Sequence, residues 1–232
     1  MRGILVLAMI VYHLLYDLKY IFDVPLNWFK SDMSVILIGF LLVSGFSFTL
    51  GKRRAVRAAQ VSVCGLLVTL VTCLFMPSQK ILFGVLTCIG VCMFLMIPME
   101  KPLSKIPPGV GIALFAILTI LTYGVRFGYI GIYNHPLFDL PQSWYETSFL
   151  FPFGLKNGAF HSSDYVPLLP WFFTYICGYM IARAVKSREK ATAVLRWGIK
   201  PLARIGRYSL WIYMAHQPIV YAILWLIFKT SR

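Results

Sequence analysis

Long apolar runs, separated by short polar stretches, repeat along the whole chain. They fall at roughly Gly3–Phe22, Met33–Leu50, Ala58–Phe75, Ile81–Pro98, Val110–Val125, Tyr165–Arg183 and Tyr208–Phe228. A helix needs about 20 mostly apolar residues to cross a bilayer, so about seven membrane-spanning helices are predicted. Lipid cannot satisfy exposed backbone N–H and C=O groups, so each run must be helical. The alternating apolar and polar positions of a membrane barrel are absent. The fold class expected is therefore all-α, a polytopic membrane helix bundle. No linker, repeat or low-complexity segment interrupts the chain, which reads as one domain over 1–232.

The first run is not a cleavable signal peptide. It contains His13, Asp17 and Lys19, and no small-residue cleavage site follows it. Only Met1 and Arg2 precede its apolar part, so a few cytoplasmic residues are expected to be missing from this start. Small residues mark close helix contacts in membranes: Gly39, Ser44, Gly45 and Ser47 in the second run, Gly84 and Gly90 in the fourth. The longest stretch outside the runs, Arg126–Asp164, is rich in aromatic residues, Pro and Gly. That composition argues against disorder, and the stretch is expected to fold back onto the membrane surface as a cap over a cavity.

Composition sharpens the class. Of 232 residues, 59% are hydrophobic and 13% charged, against about 25% charged in soluble domains. Mean hydropathy is +0.76. The net charge of +14 comes from bases bunched between particular runs. Lys52, Arg53, Arg54 and Arg57 follow the second run, and Lys101 and Lys105 follow the fourth. Arg183, Lys186, Arg188, Lys190, Arg196, Lys200, Arg204 and Arg207 lie around the connection from the sixth to the seventh. Basic loops stay in the cytoplasm, so the N-terminus is expected there and the C-terminus outside; Lys229 and Arg232 are outvoted. The protein is expected in the inner (plasma) membrane, multi-pass. The charge then needs no nucleic acid, because topology and attraction to anionic lipid account for it. Cys64, Cys73, Cys88, Cys92 and Cys177 all fall inside runs without zinc spacing, which suits helix packing and implies no metal.

Ionisable groups at membrane depth are costly and usually functional. His13 lies near the middle of the first run, and Asp17 follows one turn later on the same face. A carboxylate beside an imidazole suits a general base, and it equally suits a hydrogen-bonded pair that seals helix packing. His216 lies mid-way along the last run, just before Gln217 and Pro218. Pro218 cannot donate to the Met214 carbonyl, so a kink is expected, and His216 with Gln217 either repairs it or lines a cavity. At the outer mouth of the sixth run, Asp164 suits an N-cap and Pro167 a first turn. A substrate-facing role for Asp164 and His161 is the alternative, and Asp32 is equally ambiguous.

Together these segments carry a family resemblance. Arg2-Gly3 leading to His13 and Asp17, Leu42-Val-Ser-Gly-Phe-Ser-Phe48, Phe83-Gly-Val-Leu-Thr-Cys-Ile-Gly90, Asp164-Tyr-Val-Pro-Leu-Leu-Pro-Trp171 and Gly206–Pro218 occur in order over almost the whole chain. The set resembles the bacterial relatives of heparan-alpha-glucosaminide N-acetyltransferase, within the wider transmembrane acyltransferase group. The chain departs from that pattern twice. It starts after the place of the family's acidic Leu-Asp-x-Leu stretch, and Thr87 stands where a histidine is frequent.

The resemblance implies transfer of acetyl from cytoplasmic acetyl-CoA, as co-substrate, to the amine or hydroxyl of a glycan or lipid-linked sugar on the other side. His13 would then be the base or a covalent acetyl carrier, and Asp17 would orient it. His216 would carry a second proton or stabilise an oxyanion. Arg54 and Arg207, at cytoplasmic helix ends, would contact CoA phosphates; simple topological charge explains them equally. Two other classes stay open. His13 and His216 could ligate a haem from both sides. Polar groups and kinked helices also suit a transporter or glycan-export partner, although two matching hydrophobic halves are missing.

Overall fold

The computed structural model describes residues 1–29, 32–186 and 199–230. Arg188, Lys190, Arg196 and Arg232, counted above among the bases, lie outside them, as does the side chain of Lys229. The chain is 71% helical and 4% strand. Its long helices are α1 (Arg2–Tyr20), α2 (Ser34–Phe48), α3 (Arg54–Phe75), α4 (Val85–Ser104) and α5 (Pro108–Thr122). A β-hairpin follows, β1 (Tyr129–Ile132) and β2 (His135–Asp139), then a single turn α6 (Ser143–Glu146). The chain closes with α7 (Leu168–Lys186), a short α8 (Lys200–Arg207) and α9 (Ser209–Thr230).

Among the described residues, six helices are long and apolar enough to cross a membrane; α5 qualifies with its 3-10 extension to Phe127. The second predicted span, α2, is an apolar helix of only 15 residues. Apolar side chains lie exposed along these helices, as Val63, Leu66, Leu67, Leu70 and Leu74 do on α3. In water that face would be a liability; facing lipid it costs nothing. The protein is a multi-pass membrane protein.

Contacts divide the chain into two compact units, Met1–Phe40 with Ala193–Arg232, and Leu41–Thr192. In the first unit, Gly3 lets the Leu202 carbonyl of α8 approach the α1 backbone, where any Cβ would collide with it. This is the structural use of the opening Arg-Gly. Gly39 on α2 faces the Leu5 side chain in the same way.

In the second unit, the predicted contact glycines Gly45 and Gly90 meet the Tyr175 carbonyl and Ser62. Gly65 against Thr87 and Gly178 against the Leu42 carbonyl extend the pattern beyond the residues singled out in the sequence. Cys64, Cys88, Cys92 and Cys177 are buried packing residues, while Cys73 is exposed.

Helix boundaries moved for identifiable reasons. Ile81–Gly84, predicted helical, runs instead beside 162–166. Ser163 N–H donates to the Lys80 carbonyl (3.0 Å), Leu82 N–H to the Ser162 hydroxyl (2.9 Å) and Val166 N–H to the Phe83 carbonyl (3.0 Å). At the other end α4 passes Pro98 and Pro102 and reaches Ser104. Arg183 there donates to the carbonyls of Leu103, Ser104 and Ile106 at 2.7–2.8 Å, giving partners to groups that a helix end leaves open. Backbone at Leu169 is extended (φ −97, ψ 126), so regular helix in α7 begins at Pro170 rather than near Pro167.

The long 126–164 stretch was expected without strands and contains the hairpin. Asn134, in the left-handed region at φ 60, makes its turn. Tyr145 and Tyr165 hydroxyls donate to the carbonyls of Val125 and Phe151 and tie the stretch down. Burial raises both phenols above their ordinary value, so they remain protonated donors.

Candidate active site

Residues from opposite ends of the chain meet in the first unit. The four-residue spacing of Met9, His13 and Asp17 puts them along one strip of α1. On α9, His216 and Gln217 face that strip. The His13 and His216 rings are in edge-to-face contact, with centroids 4.9 Å apart and planes at 71°. Asp17 is fully buried, and the Gln217 amide nitrogen donates to both its oxygens, at 3.0 and 3.1 Å.

The sequence led us to expect Asp17 to hold the His13 ring by a hydrogen bond. The structure gives that bond to the Met9 carbonyl, 3.0 Å from His13 Nδ1. A carbonyl can only accept, so His13 carries its proton on Nδ1 and a lone pair on Nε2. Asp17 stays close enough to interact with His13 electrostatically. His216 makes the same kind of bond, from Nδ1 to the Tyr213 carbonyl, one turn back on α9. Helix α9 continues through Pro218.

Three basic residues lie on the short helix of this unit. Lys200, Arg204 and Arg207 recur at i, i+4 and i+7 on α8, so they share a face. Arg207 is exposed in the last turn. Gly206 packs on Gly3 and Arg2. His13 stands eleven residues along α1 from Arg2, roughly 16 Å at the helical rise.

The other sequence candidates belong to the second unit. Asp164, expected to cap the helix that follows it, serves one that lies far back along the chain. Its carboxylate accepts from the Val85 N–H at 3.3 Å and so caps α4, whose own N-cap position is Gly84, without a side chain. His161 is exposed three residues earlier. Asp32, in the first unit, accepts from the Ser34 N–H at 2.9 Å at the start of α2. Arg54 is ion-paired with Glu100 and stacks over the Phe48 ring at 4.7 Å. Gln217, Met9 and Glu100 were the contributors that sequence reasoning did not assign. Gln217 carried a signal, a polar side chain at membrane depth beside His216.

The chain matches the family described as heparan-alpha-glucosaminide N-acetyltransferase, catalytic, over residues 1–218. It belongs to that family. The protein is thus a member of a membrane acetyltransferase family, as the five ordered motifs suggested. No match is found among curated proteins or among solved structures. Contact between the His13 and His216 rings leaves no gap for a macrocycle between them, so the bis-histidine haem arrangement does not fit this seam.

Proposed function

We propose that this acetyltransferase-family protein moves an acetyl group from cytoplasmic acetyl-CoA to an amine or hydroxyl of a glycan or lipid-linked sugar across the membrane. The observation that carries the reading is the α1–α9 seam, where His13, His216 and the buried Asp17 converge between two helices long and apolar enough to cross a membrane. His13 is the base. The acceptor nitrogen or oxygen attacks the thioester carbonyl carbon, and its proton passes to His13 Nε2. The carbon–sulfur bond breaks, and CoA leaves as the thiol, taking that proton. Asp17 stabilises the imidazolium that forms in between. Proton transfer by a positioned base is typically worth about 10²–10⁴-fold in rate.

Charge at the helix ends supports donor entry from the cytoplasm. Lys200, Arg204 and Arg207 share one face of α8, which packs on the start of α1 through Gly3. In the second unit, Lys186 donates to the Thr49 carbonyl at 3.0 Å, and Arg54 pairs with Glu100. These contacts bring the ends of α2 and α7 together and tie the start of α3 to α4. Arg207 is open to a CoA phosphate, whereas Arg54 would have to share its guanidinium with Glu100.

Acetyl-CoA should raise the melting temperature of the detergent-solubilised protein by mass action on the native state. Replacing Arg54 and Arg207 together should weaken that rise. No shift at millimolar acetyl-CoA, with the protein folded, would count decisively against acyl transfer.

A further inference from the structure

Two acceptors in the α1–α9 seam are left over once its internal hydrogen bonds are assigned. The Asp17 carboxylate only accepts, so Gln217 must turn its nitrogen toward Asp17 and its Oε1 away. The Tyr213 carbonyl only accepts, so His216 holds its proton on Nδ1 and a lone pair on Nε2. Gln217 Oε1 and His216 Nε2 are both shut off from solvent, and neither has a hydrogen-bond donor among the described residues. His216 as a whole is only 7% exposed. Buried acceptors are almost always satisfied, and two unsatisfied ones on adjacent residues call for a donor from outside the chain.

We propose that Gln217 Oε1 and His216 Nε2 form the subsite that receives hydrogen bonds from the acceptor's donors beside the attacking atom, and from the second N–H where the attacking group is an amine, while the proton that leaves goes to His13. This deepens the acyl-transfer reading above and rests on it. The chemistry selects the ligand. A thioester carbonyl and phosphates offer only lone pairs and would be repelled by two acceptors, whereas an amine or a sugar hydroxyl brings N–H or O–H; the pantetheine amides of CoA also carry N–H, and a loss of the acetyl-CoA shift in the variants below would assign the two atoms to them and overturn the acceptor subsite. Position selects it too, because the His216 ring touches the His13 ring, so a donor held on His216 lies beside the base. Gln217 then acts twice. Its nitrogen is a positioning group for Asp17, and its oxygen touches the substrate.

The test uses the full chain in detergent, with glucosamine as the acceptor probe. Gln217→Lys keeps a donor for Asp17 and removes Oε1; Gln217→Met removes both; His216→Phe removes Nε2. Each variant is examined for its acetyl-CoA thermal shift and for steady-state acetyl transfer to glucosamine. All three should keep the acetyl-CoA shift, which also shows that they fold. The KM for glucosamine should rise about tenfold or more in each, the effect of one lost hydrogen bond to a buried group. Gln217→Met should lose more kcat than Gln217→Lys, because Asp17 is then unheld.

An unmoved KM in Gln217→Lys and His216→Phe would mean that an ordered water alone pairs with these atoms, and the subsite is overturned. A wild-type protein that acetyl-CoA stabilises but that neither binds nor acetylates glucosamine overturns it as well. A wild-type protein that acetyl-CoA does not stabilise removes the acyl-transfer reading and the subsite together.

Discussion

At His13 the imidazole is half-buried, its Nδ1 tied to Met9 and its lone pair on Nε2, while His216 beside it is buried on α9. Of the two rings, His13 is the one with a carboxylate, Asp17, one turn along its own helix. His13→Ala should therefore cut single-turnover acetyl transfer by at least about 10²-fold while acetyl-CoA still shifts the melting temperature. Asp17→Asn should cost less, since an amide oxygen can still accept from Gln217 and only the charge is lost. His216→Ala should combine lost activity with lost stability, because it opens a space in a packed seam. Near-native turnover in His13→Ala would leave the site without its base. His13 and Asp17 were legible in the sequence as polar groups at membrane depth one turn apart. The Asp17–Gln217 bond was not, because a helical repeat places side chains on a face and says nothing about which helix lies opposite; nor was the bond from His13 to the Met9 carbonyl of its own helix, which takes the proton that spacing alone offered to Asp17.

Among the elements, α4 shows how local rules are satisfied from a distance. Gly84 offers no side chain at its N-cap, and the carboxylate comes from Asp164, 79 residues after Val85. Arg183, 80 residues after Leu103, serves its C-terminal carbonyls. The sequence did show that Asp164 is a capping type at a helix mouth, but proximity along the chain pointed to the wrong helix. Asp164→Ala should destabilise the protein by about 0.5–2 kcal/mol, the usual cost of a lost N-cap. Urea unfolding in mixed micelles, compared with Asp164→Asn as the conservative control, measures it. Equal stability of the Ala and wild-type proteins would show that the Val85 N–H does not depend on this carboxylate. A larger effect on acetyl transfer than on stability would instead favour the substrate-facing role.

For the whole molecule, the basic loops predict an orientation. Lys52 is expected in the cytoplasm and His135, on the hairpin, outside. Single cysteines at these two positions, in a chain whose own exposed Cys73 has been replaced, should react with an impermeant maleimide from opposite faces of sealed vesicles. Reaction of both from one face would overturn this topology. The division of the chain into two units also bears on folding order. The first unit needs both ends of the chain, so the α1–α9 seam cannot close until the last helix is made.

Hydrophobic pattern and composition alone determined that this is an all-helical membrane protein, roughly where its helices run, which loops are basic and which polar residues lie at membrane depth. These follow from the one-dimensional cost of moving each segment out of water, which depends only on the side chains it carries. The short length of α2, the hairpin, the cross-chain cap on α4 and the Asp17–Gln217 bond belong to the tertiary structure. Each is a choice among partners many residues apart. Inside a membrane any apolar helix face suits lipid as well as another helix, so pairing is decided by close approach at small residues and by a few polar contacts. Gly3 against Leu202 and Asp17 against Gln217 make those decisions for the seam that holds His13.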